Sequence, residues 1–350
     1  MFQIFIQTPI NFSIMPKEFD PILDDPGSEC DRFVLGEIAN MQAFNMYKQA
    51  LASFWVAESC DLSTDYLQFE KLKKQEKDFL LMVLAFFAGS DGIVLENCVT
   101  RFYDEVKQAE VRLFYGFQIA MENIHSEVYT ELIQALEKDK SKRELLFRAI
   151  DNYDAVKAKA KWSEKWLNSK AGFGERLVAF ACVEGILFSS SFCAIFYFKK
   201  RGYQMPGLFQ SNEYISRDEG LHCKFAVLIY GQLKAHNKIS PARIREIVKS
   251  AVEVEKQFID EALKESVLGM NKESMLQYVK FVADGLLLML GCERIYNLEN
   301  PYHWMEGISI DNKTNFFERR VTEYALADVK TSSEKVKTEP QPKFKLDEDF

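Results

Sequence analysis

Two of the four histidines in this chain follow a glutamate by three residues: Glu122 and His125 in ENIH, and Glu219 and His222 in EGLH. Residues three apart on a helix share a face, so each pair can aim one carboxylate oxygen and one imidazole nitrogen at a common point. Two more acids interrupt apolar runs, Asp91 in LAFFAGSDGIVL and Glu184 in FACVEGILF. The chain order is therefore lone acid, Glu-x-x-His, lone acid, Glu-x-x-His. That is the ligand arrangement of di-metal carboxylate bundles, with one contribution from each of four helices. Four carboxylates among Phe, Leu and Val are costly if ionised and unpaired, whereas two divalent cations cancel their charge. Oxygen-rich ligation with two imidazoles and no thiolate suits iron or manganese better than structural zinc. The competing reading is a buried acid–imidazole network that holds no metal.

Tyr129 falls four residues after His125, about one helical turn (roughly 6 Å) along the same stripe. A buried phenol is by itself more often core than chemistry. Phe188 and Phe192, one and two turns after Glu184, and Ile215, one turn before Glu219, line the same pocket if the helices are regular. On position alone they are packing residues.

The elements that must carry these groups are helices. Apolar residues recur at helical spacing almost throughout, and no convincing alternating run appears. From Asp91 to Glu122 is 31 residues and from Glu184 to Glu219 is 35, intervals that suit antiparallel helix pairs, while the 62 residues from Glu122 to Glu184 suit a long crossover. Eight to ten helices are expected. SKRE (Ser141 to Glu144) predicts a capping box, SPAR places Ser240 at an N-cap with Pro241 at the first helical position, Asn271 opens another helix, and QMPG (204–207) is a turn.

The 350 residues can bury a large core, and 29 Phe suit a thick, dry interior. A formal net charge of −8 argues against a nucleic-acid or anionic-membrane surface. Seven cysteines (30, 60, 98, 182, 193, 223 and 292), with no Cys-x-x-Cys pair, predict reduced thiols and a cytoplasmic setting. The apolar N-terminus lacks a basic region and a cleavage site, so it does not read as a targeting signal. Residues 177–198 carry one charge, Glu184, over a length that could span a membrane. A central bundle helix is the alternative, and partners for Glu184 decide between them. No Gly-x-x-x-x-Gly-Lys-Ser/Thr phosphate loop is present, so nucleotide binding is not expected of this chain.

Composition changes near residue 327 and sets off a polar tail over 327–350 whose content predicts disorder. The tail closes on FKLDEDF, where Phe344, Leu346 and Phe350 stand among acids, the pattern of a peptide that orders on a partner.

Taken together, ASFWVAESCDLS, LAFFAGSDGIVLEN, FYGFQIAMENIHSEVY, FACVEGILFSSSF, SNEYISRDEGLHC and KTNFFERRVTEY, in this order, resemble one family: the small, radical-bearing subunit of class I ribonucleotide reductase. The resemblance runs from about residue 40 to the end and implies an all-α, ferritin-like bundle with additional helices. It implies two iron ions, oxo-bridged when oxidised, on Asp91, Glu122, His125, Glu184, Glu219 and His222. It also implies activation by dioxygen, a stable radical on Tyr129, and a protective pocket of Phe188, Phe192 and Ile215. An iron–manganese pair is less favoured, because related mixed-metal proteins replace that tyrosine. Transfer of the oxidising equivalent to the catalytic large subunit falls on Trp55, Asp218 and His125, with Tyr324 in the C-terminal segment. The closing peptide then docks on the large subunit through a tether over 325–343, which as a flexible coil spans about 25 Å on average. A homodimer is implied as well. The first forty or so residues match poorly, which leaves 1–34 as an N-terminal extension and 35–326 as the bundle domain, and Met15 is an alternative start. Two other readings of the same bundle are a different di-iron oxidase or ferritin-like iron handler, and a radical-free subunit that stabilises an active paralogue.

Overall fold

Eight helices of ten residues or more build the computed structural model, which describes residues 18–25, 27, 34–263 and 270–305; no β-strand occurs among them. Asn40 accepts a hydrogen bond from the Ala43 N–H and opens α1 (Met41–Ala52). The Glu76 side chain reaches back 2.8 Å to the Lys73 N–H at the start of α2 (Lys74–Asn97), which runs on through a wide π turn, Cys98–Phe102. After a short link the chain reverses into α3 (Ala109–Leu136) and then α4 (Asp154–Leu167). The fifth long helix, α5 (Phe173–Lys200), is interrupted by a second π turn, Val183–Leu187. It is followed by α6 (Pro206–Gln232), α7 (Pro241–Ala262) and α8 (Lys272–Met289).

Helices α2 and α3 pack along one another, as do α5 and α6, while α7 closes the outside against α4, α5 and α8. The crossover between the two ligand-bearing pairs contains α4 and two short helices, Lys140–Phe147 and Ala149–Asn152. Ser240 accepts from the Arg243 N–H and Asn271 from the Ser274 N–H, as their sequences predict for N-caps. The capping box expected at Ser141 is absent: Asp139 is the cap, accepting from the Ser141 and Lys142 N–H groups. A carboxylate two residues earlier serves the same orphan donors, so Ser141 lies inside the helix.

QMPG becomes the start of α6, with Pro206 at its first position. Its N–H groups at Gly207 and Leu208 bond to the Asp65 carboxylate at 3.1 and 2.6 Å. A Cβ on Gly207 would lie 2.5 Å from the Asp61 carbonyl oxygen, so only glycine allows this close approach. The anchor fixes the N-terminal end of the helix that carries Asp218, Glu219 and His222.

Both α2 with its extension, Lys74–Glu105, and α5, Phe173–Lys200, are long and apolar enough to cross a membrane. In the most apolar window of α5, 94% is buried by the other helices, the property of a central bundle helix. Asp20 and Ile22, on the N-terminal side of the expected boundary at residue 35, are buried in the same body. Asp20 accepts from the Lys234 N–H at 2.9 Å, and the Ile22 carbonyl accepts from the Lys107 N–H at 2.7 Å. The six described cysteines are buried and unpaired. Tyr324, Phe344, Leu346 and Phe350 lie outside the described residues.

Candidate metal centre

Asp91 from α2, Glu122 and His125 from α3, Glu184 from the π turn of α5, and Glu219 and His222 from α6 are each no more than 3% exposed. Glu122, Glu184, Glu219 and His222 each offer an atom within 4.8 Å of the others, a group that could hold a metal ion. His222 Nδ1 lies 3.1 Å from Glu122 and 3.0 Å from Glu219. His125 Nδ1 lies 3.4 Å from Glu122 and 3.0 Å from Glu219, without the alignment of a hydrogen bond. Glu-x-x-His spacing thus turns both imidazoles toward both glutamates, as helix geometry requires.

Five ligand-type atoms are buried without a hydrogen-bond partner: Glu122 Oε2, Glu184 Oε2 and Glu219 Oε1 within this group, His125 Nδ1 beside Glu219, and Asp91 Oδ2, whose residue the group does not include. Orphaned buried polar atoms are costly, and their convergence fits cations of the oxygen- and nitrogen-loving kind. Protonation shows the same demand. Burial, then the charge of Glu122, pushes the Asp91 carboxyl well above the usual range, and burial, then Glu219, does so for Glu184. Burial acts against charge at His222, yet its bonds to Glu122 and Glu219 carry its pKa up to about 9. His125 rises likewise, against burial, through Asp218, Glu122 and Glu219. Glu219 falls below the carboxylate range despite burial, through the neighbouring Glu184 carboxyl and the His125 and His222 imidazoles. Protons thus occupy the role that divalent cations can take.

Gln118, one turn before Glu122, was not singled out from sequence. Its Nε2 donates to Glu184 at 3.1 Å and approaches Glu122 at 3.3 Å. These contacts give Glu184 its bundle partner, and a glutamine on the apolar stripe of α3 was the available signal.

Tyr129 is fully buried. Its hydroxyl donates to Asn212 Oδ1 at 3.0 Å, and its ring stacks on Phe87 with centroids 4.6 Å apart and planes 3° apart. Phe87 also meets Phe188 at 5.5 Å and Phe192 at 4.8 Å, so both predicted pocket residues join the phenol through a ring that sequence reading missed. Ile215 is buried one turn from Asn212 on the same helix. Burial, reinforced by Asp91, Glu219 and Glu122, pushes the Tyr129 pKa far above a free phenol's.

On the other side of His125, Trp55 Nε1 donates to Asp218 Oδ2 at 2.7 Å, and His125 Nε2 lies 3.3 Å from the same oxygen. An outer carboxylate of this kind orients an imidazole whose other nitrogen faces a metal. Arg217 donates to the second oxygen, Asp218 Oδ1, at 3.2 Å.

A family model described as ribonucleotide reductase, small chain, matches residues 32–301. The chain is 52% identical over 337 residues to the ribonucleoside-diphosphate reductase small chain of Nicotiana tabacum, covering 96% of this chain and 99% of that one. It is 52% identical over 320 residues to the ribonucleoside-diphosphate reductase subunit M2 of Homo sapiens, covering 91% and 80%. The structure of the ribonucleotide reductase Rnr4 homodimer from Saccharomyces cerevisiae superposes with a TM-score of 0.72 at 34% identity, covering 84% of this chain and 90% of that one. The dimanganese(II)-NrdF structure from Streptococcus sanguinis, at 19% identity and TM-score 0.69, shares the fold.

Proposed function

The chain belongs to the ribonucleotide reductase small-chain family and is a small-subunit component of that oxidoreductase, and we propose that it generates a tyrosyl radical beside two iron ions. The observation that carries this reading is the buried group of Glu122, Glu184, Glu219 and His222, its three glutamates each holding a partnerless oxygen and His125 Nδ1 lying 3.0 Å from Glu219, one turn from a buried phenol. Asp91, Glu122, His125, Glu184, Glu219 and His222 are the residues to hold the metals; the tyrosine at 129 favours iron over an iron–manganese pair. When bound, the irons with dioxygen supply the oxidising power that removes one electron from a phenol.

The residues set how that electron leaves. Burial disfavours a phenolate, so Tyr129 would lose its hydroxyl proton together with the electron, the proton ending in the water to which dioxygen is reduced, and become a neutral radical. Phe87 covers the phenol, and we assign Phe188, Phe192 and Ile215 to the rest of its pocket; none of these side chains carries an acidic hydrogen, which keeps the radical from being quenched. Trp55, Asp218 and His125 form the inner end of a route along which the equivalent reaches the large subunit. The N–H of Trp55 can pass to Asp218 Oδ2 as its electron moves, so no net charge is stranded in the core. Tyr324 continues the route, the peptide with Phe344, Leu346 and Phe350 docks on the large subunit, and reduction of ribonucleotides takes place there. We assign a homodimer and a cytoplasmic setting, the latter resting on the unpaired thiols.

Low-temperature electron paramagnetic resonance after adding ferrous iron and oxygen tests the reading. The parent chain gives a tyrosyl signal and Tyr129→Phe gives none at equal iron content. A signal that persists in the variant moves the radical elsewhere; no signal in either protein removes the radical function.

A further inference from the structure

A buried ion pair outside the cluster grips the π turn that presents Glu184. Lys159 on α4 is 1% exposed and Glu255 on α7 is 0% exposed, with Nζ 2.8 Å from Oε2. The ammonium is wedged between two rings, 3.4 Å from the centroid of Phe86 and 4.0 Å from that of Phe258. It donates at 2.5 Å to the carbonyl of Leu187, the last residue of the π turn. The other Glu255 oxygen accepts from the hydroxyl of Ser190, three residues on. One pair, drawn from two neighbouring helices, thus holds α5 at two points immediately after Glu184.

Stability does not explain such a pair. Two charges taken out of water are costly, and apolar side chains of similar volume in their place are often neutral or stabilising. A π turn, however, widens the helix and disturbs the regular carbonyl pairing, so it needs outside donors, and such turns recur at functional sites. Lys159 supplies one donor at the point where the helix returns to α geometry. Phe188, the ring beside Phe87, follows directly.

We propose that the Lys159–Glu255 pair is a positioning device that fixes the π turn and thereby sets the reach of the Glu184 carboxylate into the cluster. This rests on the reading of the cluster as an iron site. Neither residue is a ligand; both act through the backbone of Leu187 and the hydroxyl of Ser190.

The test uses the full chain loaded with ferrous iron without oxygen, and reads near-infrared circular dichroism, which reports the ligand field of the bound ions, alongside iron affinity. The double variant Lys159→Met/Glu255→Leu removes both charges at similar volume. It is expected to melt at or above the parent's temperature without metal, to show displaced ligand-field bands, and to bind iron about 10-fold more weakly, the scale on which outer partners of metal ligands act. Ser190→Ala leaves the ion pair in place, removes one grip, and is expected to displace the same bands in the same direction by less. Unchanged bands and affinity in the double variant overturn the role. If that variant does not fold, unchanged bands in Ser190→Ala overturn it alone. A parent chain that takes up no ferrous iron overturns the iron reading, and this role falls with it.

Discussion

Trp55 and His125 meet on one atom: both reach Asp218 Oδ2, at 2.7 and 3.3 Å, with their rings nearly parallel at 23° and centroids 5.9 Å apart. A shared acceptor between an indole and an imidazole lets a proton shift as an electron moves, which neither ring could arrange alone. Asp218→Asn keeps the shape and removes the charge. At saturating ferrous iron the Tyr129 radical is expected at near-parent yield, while turnover with the large subunit falls by about 10- to 100-fold. Equal turnover removes Asp218 from the route.

Glu184 separates folding from metal uptake. Burial and then Glu219 push its carboxyl well above the usual carboxylate range, so an amide of the same shape is a mild change to the metal-free core. Glu184→Gln should leave metal-free stability within about 0.5 kcal/mol of the parent. Iron bound per chain, measured after gel filtration, should fall. A large loss of metal-free stability would show that this carboxyl serves the fold instead.

The Lys159 ammonium carries a pH signature. Burial lowers its pKa to about 8, opposed by Glu255. Between that value and the free-lysine value of about 10.4, the unfolded chain binds a proton that the folded chain does not, so folded stability rises with pH there. Below pH 8 both states hold the proton and the burial cost is fully present. From pH 7.5 to 9.5 the parent should gain on the order of 2 kcal/mol relative to Lys159→Met/Glu255→Leu, read by urea unfolding of both proteins. A difference that stays flat with pH would mean the lysine is not buried as described.

Deleting residues 344–350 should leave iron content and the radical signal unchanged and abolish turnover with the large subunit. Full turnover at unchanged affinity would remove the docking role of the tail.

Spacing was enough to find the six proposed ligands, because a helix turns a three-residue interval into a shared face and buried acids in apolar runs stand out without any knowledge of their neighbours. Tyr129 was visible by the same rule, one turn further along. The α5 interval behaved differently. Read as a regular helix, it places Phe188 and Phe192 by simple periodicity, but the chain makes a π turn at Glu184, and a one-residue widening leaves no mark on an apolar run that is buried on every side.

The amino-acid order by itself therefore determined the helical class, the two Glu-x-x-His pairs and the lone acids that answer them. Only the folded molecule decided that Asn212 accepts the hydrogen bond of the Tyr129 hydroxyl, that Phe87 links the phenol to its pocket, and that Lys159 reaches from α4 to the backbone of α5. The reason is range. Periodicity reports what one helix does along its own axis, whereas these contacts join residues 28 to 83 positions apart and arise only when packing brings separate helices within hydrogen-bond or ring-stacking distance.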